Sequence, residues 1–331
     1  MVKAVSLFSG CGGSDAGIIA AGFNVVMAND IISYARDAYL ANLPPTDYRL
    51  GDVSKITSFP AAELLVGCYP CQGFSQGGAR EANRSVNRLY LEFARALDSI
   101  APKAFIAENV SGLRRSTYRH ILADQLERFS AAGPHGYHLT WSELKAHEYG
   151  VAQERKRVVI VGLRKDLGLR YTFPAPTHGP DAPAPWVTIQ QALAGLPEWP
   201  TGEFCEDEFH WYYLSRNRRR DWGDVSKTIV AHMRHMPLHP VSPRLERLNT
   251  DEWRFEEDRP ARRFSFREAA RLQGFTKEYL AHGSDFIFPD EIKHASGQKG
   301  NLMRFRYKVI GNAVPPPLFK AVAGALPNVW D

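Results

Sequence analysis

The chain has 331 residues, 44% hydrophobic and 23% charged, with a formal net charge of +5. That length holds about two domains, or one large domain with an inserted lobe. No apolar run approaches the roughly 18 residues of a membrane span, MVKAVSLFSG turns to glycine too early for a signal peptide, and four cysteines are too few for a disulfide scaffold, so a soluble protein of a reducing, intracellular compartment is expected.

In chain order, AVSLF (Ala4–Phe8) reads as a buried strand and Ser14 to Ala21 as a helix closed by Gly22. Between them lies a glycine-rich turn with Gly10, Gly12 and Gly13, and Gly17 follows in the helix. Such turns let backbone N–H groups approach a ligand closely. The spacing is not the G-x-G-x-x-G of dinucleotide folds, so the turn suits a nucleoside cofactor or a purely structural role. VVMAN (Val25–Asn29) is a second strand, and Asp30 follows it where an acid commonly holds a ribose. The segment Ser33 to Asn42 is a helix stopped by Pro44 and Pro45, and Asp52 comes after the next short strand. Asp30 and Asp52 together sketch an adenosine-sized site along one edge of a sheet.

LLVGC (Leu64–Cys68) is a strand that runs into VGCYPCQGFSQGG. Its two cysteines, Cys68 and Cys71, suggest a redox pair, half of a metal site or a single nucleophile. A redox pair would open a helix, but Gln72, Gly73 and Phe74 follow Cys71. A zinc site needs further ligands at suitable spacing, and Cys205, Glu206 and His210 are a poor set. A lone thiol on a loop fits best. It is only a few per cent ionised near neutrality and needs help from its surroundings.

The spacing of Leu89, Phe93, Ala96, Leu97 and Ile100 predicts a helix, KAFIAEN (Lys103–Asn109) a strand, Tyr118 to Ala132 a helix and RVVIVGL (Arg157–Leu163) a strand. Glu108 stands at one strand end, and Arg155 and Arg157 alternate at the start of another, where charged groups are otherwise ordinary solvated edges. Alternating strands and helices with fully apolar strands predict an α/β fold, a mostly parallel sheet covered by helices on both faces. From about residue 165 to 260 prolines, aromatics and arginines replace that periodicity, most densely in HWYYLSRNRRRDW. This predicts a smaller irregular lobe, whose Arg216, Arg218, Arg220 and Arg234 suit phosphate and base contacts. Two helices follow, at Ser265 to Gly274 and at Pro317 to Ala325.

FSGCGG, PCQGFS, ENVSGL, QERKR, REAARLQGF and GNAVPPPL, in this order, resemble the conserved blocks of the DNA cytosine-5 methyltransferases over residues 3–164 and 262–325. Each block alone is weak; the ordered set is specific. The resemblance implies a Rossmann-like S-adenosylmethionine-dependent fold. It divides the chain into a catalytic and cofactor domain at 1–164, a target-recognition domain at 165–260 and a segment at 261–331 that returns to the first. It makes Cys71 the thiol that adds to C6 of cytosine, Glu108 the acid at N3 and Arg157 the cation at O2, with Arg155 supporting the same pocket. The cofactor is S-adenosylmethionine, held by Phe8, Ser9, Gly10, Gly12, Asp30, Ile31, Asp52, Val53, Pro70, Leu89 and Asn312. No metal is implied. Asp30 stands where the family usually has Glu, and Ile31 where it has an aromatic. Gln72 and Ser75 join the arginines as DNA contacts, and the lobe resembles that of bacterial members that modify GGCC-type sites. The expected partner is double-stranded DNA, with a cognate restriction endonuclease acting separately and no membrane. The enzyme would be a cytoplasmic bacterial monomer, at the nucleoid through its DNA. An RNA-modifying relative would carry a Cys-Phe-Thr signature, which is absent. A silent DNA-binding protein would not need the four intact site residues, and an oxidoreductase would leave the arginines unexplained. The stretches 252–259 and 283–303 are longer than the family pattern requires and have no expected role.

Overall fold

The computed structural model describes residues 1–70, 88–289 and 302–330. Cys71, Gln72 and Ser75 lie outside them. The central sheet is built from β1 (Val2–Leu7), β2 (Phe23–Asp30), β3 (Asp47–Leu50), β4 (Leu64–Gly67), β5 (Ala104–Val110), β6 (Tyr137–Lys145) and β7 (Lys156–Arg164) in the order 3-2-1-4-5-7-6. The first five strands pair in parallel, and β7 is antiparallel to both β5 and β6. The mostly parallel α/β sheet is therefore as expected. β6 is an addition: its sequence YHLTWSELK mixes polar and apolar residues along a half-buried edge strand and carries no apolar run.

Helices cover both faces because the strands are apolar on both. One face packs Val66, Ile106 and Val161 under α1 (Gly13–Ala20) and α8 (Pro316–Gly324). The other packs Leu65, Phe105 and Ile160 under α3 (Tyr90–Ile100) and α4 (Arg119–Ala131), through Phe93, Leu97 and Phe129. Each such side chain contributes about 1.5–3 kcal/mol by leaving water. α1 and α8 touch backbone to backbone. A Cβ on Gly13 would stand 2.1 Å from the Val314 carbonyl oxygen, and one on Gly17 2.5 Å from that of Pro316. The glycines of the first turn thus admit the C-terminal segment as well as leaving room for a ligand.

A third cluster joins α2 (Ser33–Asn42), α5 (Ile189–Ala192), α6 (Phe266–Gln273) and α7 (Leu302–Asn312). α6 starts on a capping box, Ser265 with Glu268, as FREAARLQ suggests. The described parts of the extra stretches acquire places in this frame; residues 290–301 lie outside the described residues. β9 (Glu252–Phe255) pairs with β8 (Leu245–Asn249) in a hairpin of the lobe, and Phe286 and Phe288 pack on Phe275 and Phe266. No helix among the described residues is long and apolar enough to cross a membrane.

Candidate active site

The carboxyl ends of β1 to β4 lie side by side, so the residues just beyond them line one rim. After Leu7 the chain turns sharply. Phe8 holds φ +59°, a left-handed conformation costly for a side-chain-bearing residue, and Gly10 and Gly12 follow at +55° and +88°. Asp30 fixes this turn: its carboxylate accepts from the Gly10 N–H at 3.0 Å and from the Ile32 N–H at 2.9 Å. Burial raises the Asp30 pKa against those two bonds. The Tyr48 hydroxyl donates to the Gly10 carbonyl at 3.0 Å. Behind the turn, buried Asp15 accepts from Ser6 Oγ at 2.6 Å and Ser14 Oγ at 2.9 Å, while Ser9 Oγ donates to Ser6. Sequence reading did not single out this polar backing.

The rim itself is open. Nothing lies within 4 Å of a Cβ placed on Gly10. Ile31 leaves 63% of its surface exposed beside it. Asp52 is exposed, and the Ser54 N–H at 2.9 Å holds its carboxyl below the ordinary range. Val53 is buried beneath it, Phe8 packs edge-on to Tyr69 next to Pro70, and Leu89 precedes α3. Asn312 ends α7 and is exposed. An exposed aliphatic side chain, an exposed carboxylate and open backbone suit an adenosine-bearing cofactor.

One strand further along, the antiparallel β7 matters. A strand that begins at the carboxyl edge brings its first residues there, and Val110 of β5 pairs with Arg157 of β7. Arg157 Nε therefore lies 2.7 Å from Glu108 Oε1, both groups largely buried. The contact is off-axis and leaves Oε1 without an aligned hydrogen bond among the described residues. Burial is the main influence on Glu108 and raises its pKa, opposed by Arg157 and then Arg155. Cys68 directly follows β4 as a free thiol, and burial followed by the Glu108 charge holds it protonated. It is thereby a poor nucleophile.

Arg155 has other partners. Its guanidinium donates to the carbonyls of Ile229 at 3.2 Å, Gly311 at 3.2 Å and Ala313 at 2.8 Å. Gln153 does similar work, donating to the Leu272 carbonyl at 3.0 Å and accepting from the Ile229 N–H at 3.0 Å. Gln273 in turn donates to the Ala313 carbonyl. The QERKR, LQGF and GNAV blocks thus meet in one buried polar clasp that also grips the lobe. Gly311 admits this closeness, since a Cβ there would lie 2.3 Å from the Val230 backbone.

In the lobe the four arginines differ. Arg218 donates to the Tyr213 carbonyl at 3.1 Å, Arg220 pairs with Glu154 at 2.7 Å and Arg234 with Asp207 at 2.5 Å. Arg216 lies 5.8 Å over the Tyr212 ring, with no hydrogen bond or ion pair among the described residues. Trp211 beside it is 80% exposed. Arg219 is structural: it donates to the carbonyls of Pro240 and Ser242 and pairs with Asp221.

The sequence matches the family model of the C-5 cytosine-specific DNA methylases over residues 2–328. It is 33% identical to the Type II methyltransferase M.BsuRI of Bacillus subtilis, over 99% of this chain and 79% of that protein. It is 36% identical to the Type II methyltransferase M.BspRI of Lysinibacillus sphaericus, over 92% and 70% respectively. The crystal structure of the S. pombe Dnmt2 methyltransferase shares the fold, with a TM-score of 0.64 at 16% identity over 98% of this chain and 96% of that one. The chain belongs to the C-5 cytosine-specific DNA methylase family.

Proposed function

We propose that this enzyme methylates C5 of a cytosine flipped out of duplex DNA, within a GGCC-like site, through a covalent bond from Cys71 to C6. C5 is a poor nucleophile and is out of reach in a stacked helix, so the base must leave the stack. Thiolate addition at C6 turns the ring into an enamine that is nucleophilic at C5. Negative charge then develops toward N3 and O2. The single observation that carries the reading is the buried Glu108–Arg157 pair at the strand edge. Its carboxyl has a raised pKa and can donate at N3, while Arg157 supplies a cation for O2. S-adenosylmethionine, when bound, supplies a methyl activated on a sulfonium. Phe8, Ser9, Gly10, Gly12, Asp30, Ile31, Asp52, Val53, Pro70, Leu89 and Asn312 would hold it.

The same reading assigns catalysis to residues 1–164, target recognition to 165–260 and a returning support to 261–331. It makes Arg155 a positioning residue rather than a group that touches the base. The enzyme would act as a cytoplasmic monomer, alongside a separate endonuclease of the same specificity. Two measurements test it together. Tritiated methyl transfer from S-adenosylmethionine should appear on duplex DNA and not on RNA. Duplex carrying 5-fluorocytosine should trap the wild type covalently, because fluorine does not leave as a proton does. Cys71→Ser should lose both transfer and trapping while still binding DNA. Normal turnover by Cys71→Ser would end the covalent reading.

A further inference from the structure

The turn after Glu108 carries a basic run, RRSTYRH, that neither the catalytic pair nor the recognition lobe uses. Ser111 Oγ donates to the Lys156 carbonyl at 3.0 Å, so this turn is fastened to the first residue of β7, next to Arg157. Alternation along β7 sends Lys156 to the sheet face opposite Arg157, the face that α4 covers. There Lys156 pairs in register with Lys145 of β6. Like charges directly opposite one another destabilise a sheet. Lys145 is relieved by Glu148 at 2.8 Å and Arg114 by Glu143 at 3.2 Å. Arg115, Arg119 and Lys156 are all exposed and have no ion pair among the described residues. α4 also begins on Arg119 with no acid in its first turn, so a cation sits at the positive end of the helix. Such an arrangement is unfavourable in the free protein and is relieved by a polyanion.

We propose that Arg115, Arg119 and Lys156 form a ridge that grips the phosphate backbone of the duplex on the catalytic-domain side, independently of sequence. The lobe holds the other side of the same loop, through Glu154 N–H to the Ser226 carbonyl at 2.7 Å and Arg155 to Ile229. Ridge and lobe then flank the Glu108–Arg157 pair, and the target strand is held at both sides of the base that must leave the stack. Phosphate contacts position DNA and carry no sequence information. The ridge therefore supplies affinity and register, and the lobe supplies choice. This assignment rests on the proposed action on duplex DNA.

The test is the salt dependence of binding by the full-length enzyme, on a short duplex with one GGCC site and on the same duplex without it. Each phosphate contact contributes about 0.9 to the slope of log K against log salt. The triple variant Arg115→Ala/Arg119→Ala/Lys156→Ala should lower the slope by about 2–3 on both duplexes and raise the KM for DNA. The positions methylated should stay the same. Arg115→Lys/Arg119→Lys should keep the slope, which separates charge from fold. Arg170→Ala removes an exposed cation in the segment after β7 and should leave the slope unchanged. A wild-type slope in the triple variant, or a drop of about 0.9 in Arg170→Ala, would overturn the ridge. Failure of the wild type to methylate either duplex would instead overturn the parent reading, and the slopes would still decide whether the ridge binds DNA.

Discussion

The molecule buries an arginine–glutamate pair in each of two regions, and among the described residues only one of the two carboxylates has both oxygens hydrogen-bonded. In the segment that supports the lobe, Glu268 accepts from Arg262 at 2.8 and 2.7 Å and from the Ser265 N–H at 2.7 Å, with His239 Nε2 at 3.4 Å. Both carboxylate oxygens are used. At the sheet edge, Glu108 Oε1 meets Arg157 off-axis and has no aligned partner among the described residues. Burial is similar, but the use of the carboxylate is not. The Glu268 carboxylate locks a helix start to the lobe, although Arg262 Nε itself has no aligned partner among the described residues. A carboxylate with an open oxygen keeps capacity for a later partner, which the proposed role at a pyrimidine edge would use.

Removing one charge from each pair should produce opposite results. Glu268→Gln leaves Arg262 buried with no counter-charge, and such losses cost about 3–5 kcal/mol. Urea denaturation should show that fall in unfolding free energy, with turnover per folded molecule nearly intact. If the loss is under about 1 kcal/mol, a typical value for an exposed pair, the lock is misassigned.

Glu108→Gln should instead lower kcat by ~100-fold or more, equivalent to about 2.7 kcal/mol in the barrier, with a smaller change in stability. The pH dependence gives the sign. Because burial raises the Glu108 pKa, its favourable neutral form is fully present below the ordinary carboxylate range. That contribution is lost as pH rises through the raised value. The proton donor disappears over the same window, so kcat should fall on the alkaline side of it in the wild type. Glu108→Gln should show no such limb. Weak cofactor binding with an unchanged limb would assign Glu108 to the wrong site.

The contrast also explains what could be read from the sequence. Strand ends are legible because apolar runs of fixed period stop at them, and Glu108, Arg157, Asp30 and Asp52 all stand at such stops. Their being on one edge follows from the parallel order, though the antiparallel β7 that brings Arg157 to Glu108 is not visible in RVVIVGL alone. The clasp was illegible for a different reason. Arg155 ends on carbonyls 74, 156 and 158 residues away, and Gln153 on one 119 residues away. Backbone acceptors carry no residue identity, so no pattern of side chains announces them. α7 was missed as well: LMRFRYKVIGN carries cations along it and a glycine at Gly311 that reads as a breaker until Val230 is seen beside it.

The smallest expected effects lie among the cations of the lobe, where occupancy again separates roles. Arg218, Arg220 and Arg234 already have acceptors, and a base would have to compete with Tyr213, Glu154 and Asp207 for them. Among the described residues Arg216 has the Tyr212 ring beneath it and no hydrogen-bond or ion-pair partner. A bidentate arginine on guanine discriminates by about 1–3 kcal/mol, so Arg216→Ala should relax preference at one position of the site, read by bisulfite sequencing of DNA modified by the variant. Arg220→Ala and Arg234→Ala should weaken binding to all sequences more evenly. His235 marks the lower limit. Burial, then His232 and Arg218, bring its pKa down to about 4, so it is neutral at pH 7 in the free enzyme and displaces no counterion. His235→Asn should leave the salt slope of DNA binding unchanged at pH 7. A slope lower by about 0.9, the value of one phosphate contact, would mean that DNA recharges the imidazole on docking, and would move His235 from the neutral aromatic cluster to the phosphate-binding surface.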